Sequence, residues 1–413
     1  MSRRIVVTGL GMVSSLGHDV PATWRGALAG CSGVARIMAH DVSNSPVKVA
    51  AEVKNWQPER YMDIRTARRT DRHQQFIFAA TTEAMQQSGL IVSDANRARV
   101  TVMIGVATGG FLTYDENMKV LAESGARRVN PFGVMMVMVN GAAAMISIAY
   151  GAQGPSFSIV SSCATGADNI GQAFRLIQSG QADAAICGGG ESPITEMGIA
   201  SLDRINTLSH IEEPPETACA PFDRSRCGLV LGEGAAILVL EALETAQARG
   251  ANILAELTGY GASMDGYHIS APDENGSGAV LAMNRALTDA QIDASTIDYI
   301  NTHGTGTQVG DVIETRALKR VFGSAIYDIA IDSTKPLTGH GMGATSAMEA
   351  IFCIQAIRDG AIPPTLNLHD PDPECDLDYT PLVAGHRPIH RAMTNALGLG
   401  GHNASLIFSE FSL

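Results

Sequence analysis

Along this 413-residue chain, apolar positions follow two alternating rhythms. Short unbroken runs of β-branched and small apolar residues, such as Ile5-Val6-Val7 and VTVMIG at 100–105, have the pattern of strands buried on both faces. Between them lie stretches with apolar positions three and four apart, as in CATGADNIGQAFRLIQSG at 163–180, which read as helices. The succession VTVMIGVATGG, SFSIVSS, CATGADNIGQAFRLIQSG, DAAICGGGE and GEGAAILVLEALETAQARG alternates strand with helix. That alternation predicts an α/β fold with a mostly parallel sheet. FGVMMVMVNGAAAMISIAYGA (132–152) carries no charge and is long enough to cross a bilayer. Arg127 and Arg128 precede it, Gly151 and Gly154 end it, and no second such span follows, so it reads as one buried helix of a soluble protein.

The pattern also repeats. TGLG at 8–11 returns as TGYG at 258–261, each after a short apolar run. The helix CATGADNIGQAFRLIQSG has a counterpart in GATSAMEAIFCIQAIRDG, and aligning Leu176 with Ala356 gives an offset of 356 − 176 = 180, which sets Cys163 opposite Gly343. A duplicated unit and a chance likeness of small-residue helices both fit this pattern. HIEEPPETACAPFDRSRCG (210–228) is polar and proline-bearing, the composition of a surface excursion.

Composition narrows the chemistry. Hydrophobic residues make up 45% and charged residues 17%, and the net charge of −13 argues against a nucleic-acid partner. The seven cysteines form no CxxC pair and no Cys/His ligand cluster, so they read as reduced thiols in a cytoplasm. Gly9, Gly11 and Ser14 half-match a dinucleotide loop, but the third glycine and the acid about 20 residues on are missing, so a dinucleotide is not expected.

Three turns remain that have no packing reason for their polar residues. Cys163 lies between the run SFSIV and a helix start, where unpaired N–H groups should lower its thiol pKa. His303 follows IDYI in a Gly/Thr turn, and Lys335 and His340 share another, STKPLTGHGMGA. All three turns fall at strand-to-helix junctions and hence at one edge of a parallel sheet. Glu349 sits among Ala347, Met348, Ala350 and Ile351, so it needs a buried cation, and Lys335 is nearest in sequence. The loop NALGLGGHN brings flexible glycines before a final strand, as an oxyanion-binding backbone requires.

VVTGLGMVS, GPSFSIVSSCATG, PFDRSRCGLVLGEGA, YHISAPDENGSG, NTHGTGTQVGD, STKPLTGH and GLGGHN together resemble the β-ketoacyl-acyl-carrier-protein synthases of the elongating type, over essentially the whole chain. The resemblance implies a thiolase-like duplicated fold, a five-layer α-β-α-β-α sandwich, with an N-terminal half at 1–252 and a C-terminal half at 253–413. It implies a homodimer, a Cys-His-His constellation matched by Cys163, His303 and His340, and no metal or redox cofactor. Cys163 would carry the acyl chain, with backbone N–H groups of Cys163 and Leu399 holding its carbonyl oxygen. The histidines would stabilise the enolate left when malonyl-carrier protein loses carbon dioxide, and Lys335 with Glu349 would orient His340. An acidic acyl-carrier protein should dock on Arg65, Arg68, Arg69 and Arg72 of RTARRTDR and on Arg127 with Arg128. The chain departs from the family at Leu397-Gly398-Leu399, where Phe-Gly-Phe is usual, and at Thr108, Met135, Met136 and Met138, where the acyl pocket should lie. Fatty-acid elongation is therefore the first expectation, and a specialised synthase of polyene, polyketide or other unusual chains the second. A non-catalytic chain-length partner would lack the cysteine, and an acyl hydrolase would need neither the second histidine nor the Lys-Glu pair.

Overall fold

The structure is a computed structural model describing residues 3–412. Nine strands form the main sheet: β1 (Ile5–Val13), β2 (Val100–Gly105), β3 (Ala184–Glu191), β4 (Gly234–Ala242), β5 (Ala255–Met264), β6 (Tyr299–Asn301), β7 (Ala330–Asp332), β8 (Arg391–Gly398) and β9 (His402–Ser409). Every residue of β1, β2, β3 and β4 is buried, which is why these strands read as unbroken small and apolar runs rather than as alternation. The helices that matter for the site are α1 (Arg72–Ser88), α2 (Phe111–Ser124), α3 (Gly133–Val137), α4 (Gly141–Tyr150), α5 (Thr165–Gln178), α6 (Ser277–Ala290), α7 (Gly310–Phe322) and α8 (Thr345–Asp359).

Strand order is β2-β3-β4-β1-β5-β9-β8-β6-β7. The ladder narrows to three residue pairs between β1 and β5, so it divides there into two sheets. Helices α5 and α8 pack on each other and fill the space between the sheets; α1 covers the outer face of the first and α6 that of the second. The result is a five-layer α-β-α-β-α sandwich with one apolar core around α5 and α8 and one beneath each outer helix layer. The sheet is mixed rather than mostly parallel. Only β2–β3, β8–β6 and β6–β7 run parallel, because β4, β1, β5 and β9 pair antiparallel through the centre.

The duplication is visible in packing detail. A Cβ on Gly9 or Gly11 would lie 2.1 or 1.8 Å from the carbonyl oxygens of Ala84 and Ala80 in α1. A Cβ on Gly259 or Gly261 would lie 2.4 or 2.1 Å from those of Ala286 and Ala282 in α6. The two T-G-x-G runs thus do the same work, letting a helix backbone approach a strand more closely than any side chain permits. The turns before α5 and α8 match as well: Ser162 and Met342, 180 residues apart, both hold φ in the left-handed region, at 53° and 45°.

Two expectations about single elements need correction. Residues 132–152 are not one buried helix. The buried Gln74 side chain donates to the Met135 carbonyl (2.9 Å), Met138 turns extended, and the chain re-enters a helix at Gly141. Val134, Met135, Met138 and Ile148 then face outward. Nor is 210–228 a surface excursion throughout, since Ala218–Asp223 are buried and the Phe222 ring stacks on Tyr379 at 3.6 Å between centroids. Among the described residues no helix is long and apolar enough to cross a membrane.

Candidate active site

Cys163 sits in the single turn Ser162–Ala164 that leads into α5, with the φ of 53° at Ser162 swinging the chain so that the thiol faces inward. The duplicate turn before α8 supplies what faces it. His340 Nε2 lies 3.0 Å from Cys163 Sγ. Its backbone is pinned on both sides, the N–H donating to Val230 O at 2.7 Å and the carbonyl accepting from Gly232 N at 2.9 Å. His303, just beyond β6, meets His340 edge to face with ring centroids 5.3 Å apart. One ligand atom from each of Cys163, His303 and His340 lies within 4.8 Å of the others.

Carboxylates hold these turns from below. Glu314, on α7, accepts from the backbone N–H groups of His303 (2.7 Å) and Gly304 (2.8 Å). Asp311 accepts from Thr305, Gly306 and Phe222 N–H groups. Burial pushes Glu314 up to about 7 and Asp311 up to about 6, against the pull of those N–H groups. Glu191, at the end of β3, accepts from Ala107 N and Gly343 N and so joins the loop after β2 to the turn before α8. Lys335 donates to Glu349 at 2.6 Å, both side chains being buried. Burial raises Glu349 to about 7, opposed by that ammonium.

A cavity of about 550 Å³ opens onto this cluster, lined by Cys163, His303, His340, Thr305 and Thr307 and by Leu397, Gly398 and Leu399 of the C-terminal loop. Burial and the nearby Lys335 charge hold both imidazoles well below the usual histidine range, so they are neutral at physiological pH. The thiol does not behave as its place at a helix start predicts. Burial pushes it up to about 11, and the opposing pulls (the Leu399 N–H, the Lys335 ammonium and its own N–H) are smaller. Geometry sets the expected oxyanion loop against the nucleophile turn, since a Cβ on Gly398 would lie 3.1 Å from Cys163 N.

Cys163, His303, His340, Lys335, Glu349, Leu397, Gly398 and Leu399 come together here. His340 Nδ1, however, faces the hydroxyl of Thr345 at 3.2 Å, so Lys335 acts on His340 through charge rather than through an orienting bond. Thr108, Met135 and Met138 do not line that cavity: the Thr108 hydroxyl donates to Glu191 at 2.6 Å, and both methionines are on the outer face of α3 and its end. Arg65, Arg68, Arg69, Arg127 and Arg128 are exposed, and the Arg69 guanidinium over the Phe132 ring (4.4 Å) draws the two arginine groups toward one surface. Arg72 is not part of that surface, because it is committed to the buried Glu233 at 2.7 Å. Thr345, Glu314, Asp311 and Glu191 went unnoticed in the sequence. The one available signal was Asp311 and Glu314 at the start of a helix directly after a glycine-rich histidine turn.

The chain is similar to known proteins in sequence and in fold. Residues 2–246 match the model of the beta-ketoacyl synthase N-terminal domain and residues 254–369 that of its C-terminal domain. The chain is 46% identical over 410 residues to 3-oxoacyl-[acyl-carrier-protein] synthase 2 of Staphylococcus aureus strain N315, with 99% of each chain covered. It is 43% identical over 408 residues to the protein of that name from Coxiella burnetii, again with 99% of each covered. The solved structure of the ishigamide ketosynthase/chain length factor superposes with a TM-score of 0.92 at 33% identity, covering both chains fully. With sequence and fold in agreement, the chain belongs to the beta-ketoacyl synthase family.

Proposed function

We propose that this protein elongates fatty acids by decarboxylative condensation of an acyl-enzyme thioester with malonyl-acyl-carrier protein. The observation that carries this reading is a thiol beside two neutral imidazoles, with the Leu397–Leu399 loop bordering the same cavity. Cys163 attacks the acyl thioester; the S–acyl bond to the enzyme forms, and the carrier thiol leaves with the proton. The acyl carbonyl oxygen turns toward the Cys163 and Leu399 N–H groups, which bind the charge of the tetrahedral intermediate. Malonyl-carrier protein then places its thioester carbonyl at His303 and His340. With the Thr345 hydroxyl donating to Nδ1, His340 keeps its proton on Nε2 as a donor. Carbon dioxide leaves, the electron pair of the broken C–C bond becomes an enolate held by the imidazole N–H groups, and its carbon attacks the acyl carbonyl. Collapse expels Cys163, which takes a proton from solvent, and β-ketoacyl-carrier protein is released. Lys335, held by Glu349, keeps both histidines neutral, each with a single N–H to donate.

The arginines Arg65, Arg68, Arg69, Arg127 and Arg128 form the landing site for the acidic carrier, on a chain whose net charge of −13 otherwise repels it. A second copy of the chain covers the apolar face that carries Met135 and Met138, so an acyl pocket including them and Thr108 forms at the seam between copies. The two catalytic halves divide at 252/253, a reading supported by the matched packing of β1 on α1 and β5 on α6. Seven free cysteines support a cytoplasmic setting.

The test combines acyl- and malonyl-carrier proteins with the enzyme and follows carbon dioxide, free acid and β-ketoacyl product. Wild type should give one acyl adduct by intact mass, absent in Cys163→Ala. Cys163→Gln should lose condensation yet still release carbon dioxide, whereas His303→Ala should lose that release. An adduct persisting in Cys163→Ala, or free acid as the main product, overturns the assignment.

A second reading, a specialised synthase of polyene or other unusual chains, is favoured by one feature: Leu397 and Leu399 rather than aromatic rings border the cavity above Cys163. Leu399→Phe should then depress kcat/KM for a polyene acyl-carrier protein more than for a saturated one. An unchanged ratio removes this reading.

A further inference from the structure

The two N–H groups expected to hold the acyl oxygen, those of Cys163 and Leu399, come from opposite halves of the chain: one from the turn before α5, the other from the loop between β8 and β9. Their separation has to be fixed by something that spans the halves. Ser161 precedes the left-handed Ser162, and its backbone N–H donates to Thr165 Oγ1 at 2.9 Å. Its hydroxyl donates to one carboxylate oxygen of Asp168, on the first turn of α5. The other oxygen of Asp168 accepts from the Tyr260 hydroxyl at 2.7 Å, and Tyr260 lies on β5 in the second half. All three side chains are buried.

Tyr260 is itself held at both ends of its peptide. Its N–H donates to Asp289 at 3.0 Å and its carbonyl accepts from Arg175 at 3.2 Å, while Arg175 and Asp289 pair at 2.6 Å. Beyond the end of β5, the Asp265 N–H donates to Gly401 O at 2.9 Å, and the Asp265 carboxylate accepts from Asn403 at 2.8 Å. The strand that holds Tyr260 therefore also anchors the loop bearing Leu399. That loop is pressed against the nucleophile turn: a Cβ on Gly398 would come within 3.0 Å of Ser161 O and 3.1 Å of Cys163 N.

We propose that Ser161, Asp168 and Tyr260 form a tie across the two halves that sets the spacing of the Cys163 and Leu399 N–H donors, and that they are positioning residues for acyl transfer to Cys163. The inference rests on the condensing reading above. Burial pushes the Asp168 carboxyl up, against its two hydroxyl bonds, and neither of its bonds is to a cation, since Arg175 is paired with Asp289. A buried carboxylate with only hydroxyl partners is a costly way to fill space. It is an effective way to fix a geometry, because two charge-assisted bonds hold both partners at set distances.

The tie predicts selective damage. Tyr260→Phe keeps the ring and removes one bond; Ser161→Ala removes the other. Each should slow the first-order acylation of Cys163 by saturating acyl-carrier protein about tenfold, less than deleting an oxyanion donor outright. KM for that carrier should be unchanged. Carbon dioxide release from malonyl-carrier protein without primer, which depends on the histidines, should stay within about twofold. Because both bonds act through one carboxylate, the double variant should be no slower than the slower single variant. Asp168→Asn, which can still bond both hydroxyls, should recover most of the rate lost in Asp168→Ala. Unchanged acylation in Tyr260→Phe overturns the tie, as does an equal fall in acylation and decarboxylation, or multiplied effects in the double variant. A Tyr260→Phe chain that does not fold leaves the Asp168→Asn and Asp168→Ala comparison to decide. If wild type forms no acyl adduct, it is the condensing reading that fails.

Discussion

At Cys163 the decisive quantity is the cost of holding charge in a sealed site. A helix start contributes only a few tenths to about 1 kcal/mol of favourable field, while one pKa unit corresponds to about 1.4 kcal/mol. A thiol pushed up to about 11 by burial is therefore beyond rescue by that field alone, and the neutral histidines form no thiolate–imidazolium pair. At any pH below the thiol pKa, the thiolate fraction rises about tenfold with each unit increase in pH. Alkylation of the free enzyme by iodoacetamide should accordingly climb with pH from 7 to 9 without a plateau, monitored as the rate of mass gain on Cys163. A plateau below pH 8 would mean an ion pair at rest. In the proposed mechanism the acyl thioester would meet the thiol with its oxygen in the field of two N–H groups, letting the proton leave as the bond forms. Cys163, His303 and His340 were legible because each occupies a Gly/Thr-rich turn with no apolar partner to explain it. Their protonation was not legible, since burial is a property of the whole fold.

Among the elements, α7 shows how much of the site depends on residues that look ordinary in sequence. Asp311 and Glu314 stand at a helix start, yet both are buried and accept five backbone N–H groups between them. Glu314→Ala would leave the His303 and Gly304 N–H groups buried and unpaired, at about 1–3 kcal/mol each before relaxation or water entry. The expected result is a lower urea midpoint at unchanged m, with carbon dioxide release falling further than Cys163 acylation because the His303 turn is the one set loose. Equal losses in the two half-reactions would make Glu314 purely structural. The same limit on reading elements explains the break at 138–140. A buried Gln74 donating to the Met135 carbonyl is a tertiary contact 61 residues distant, so the uniform hydropathy of 132–152 gave no sign of it. The mixed sheet was hidden for a related reason: strands buried on both faces look alike whether they run parallel or antiparallel.

For the whole molecule, the unexplained feature is one apolar face. Tyr114, Met118 and Leu121 on α2, Val134 and Met135 on α3 and Ile148 on α4 are exposed, and α2 packs on α3 and α3 on α4. Phe157 and Val160 are exposed too, in a segment that reads as a strand but makes one backbone bridge to β2, Phe157 to Met103, beside bonds of the Ser156 and Ser158 hydroxyls to Val102 and Ile104. Side chains of this size in contiguous elements exceed what a monomer usually leaves in water. A segment of strand-like sequence with so little ladder of its own suits pairing with another edge. The segment ends at Ser161, directly before the turn that holds Cys163, so a cover on this face would also steady the proposed nucleophile. A second copy of the chain is the proposed cover, and Phe157→Asp is the corresponding test. Wild type should sediment as a dimer at micromolar concentration. Phe157→Asp should shift toward monomer and lose acylation of Cys163 in the same concentration range. The same kind of change on another surface, Val383→Asp at a residue 74% exposed, should leave both properties intact. A Phe157→Asp protein that remains dimeric would place the interface elsewhere, and a monomeric one that acylates at the wild-type rate would separate assembly from the chemistry.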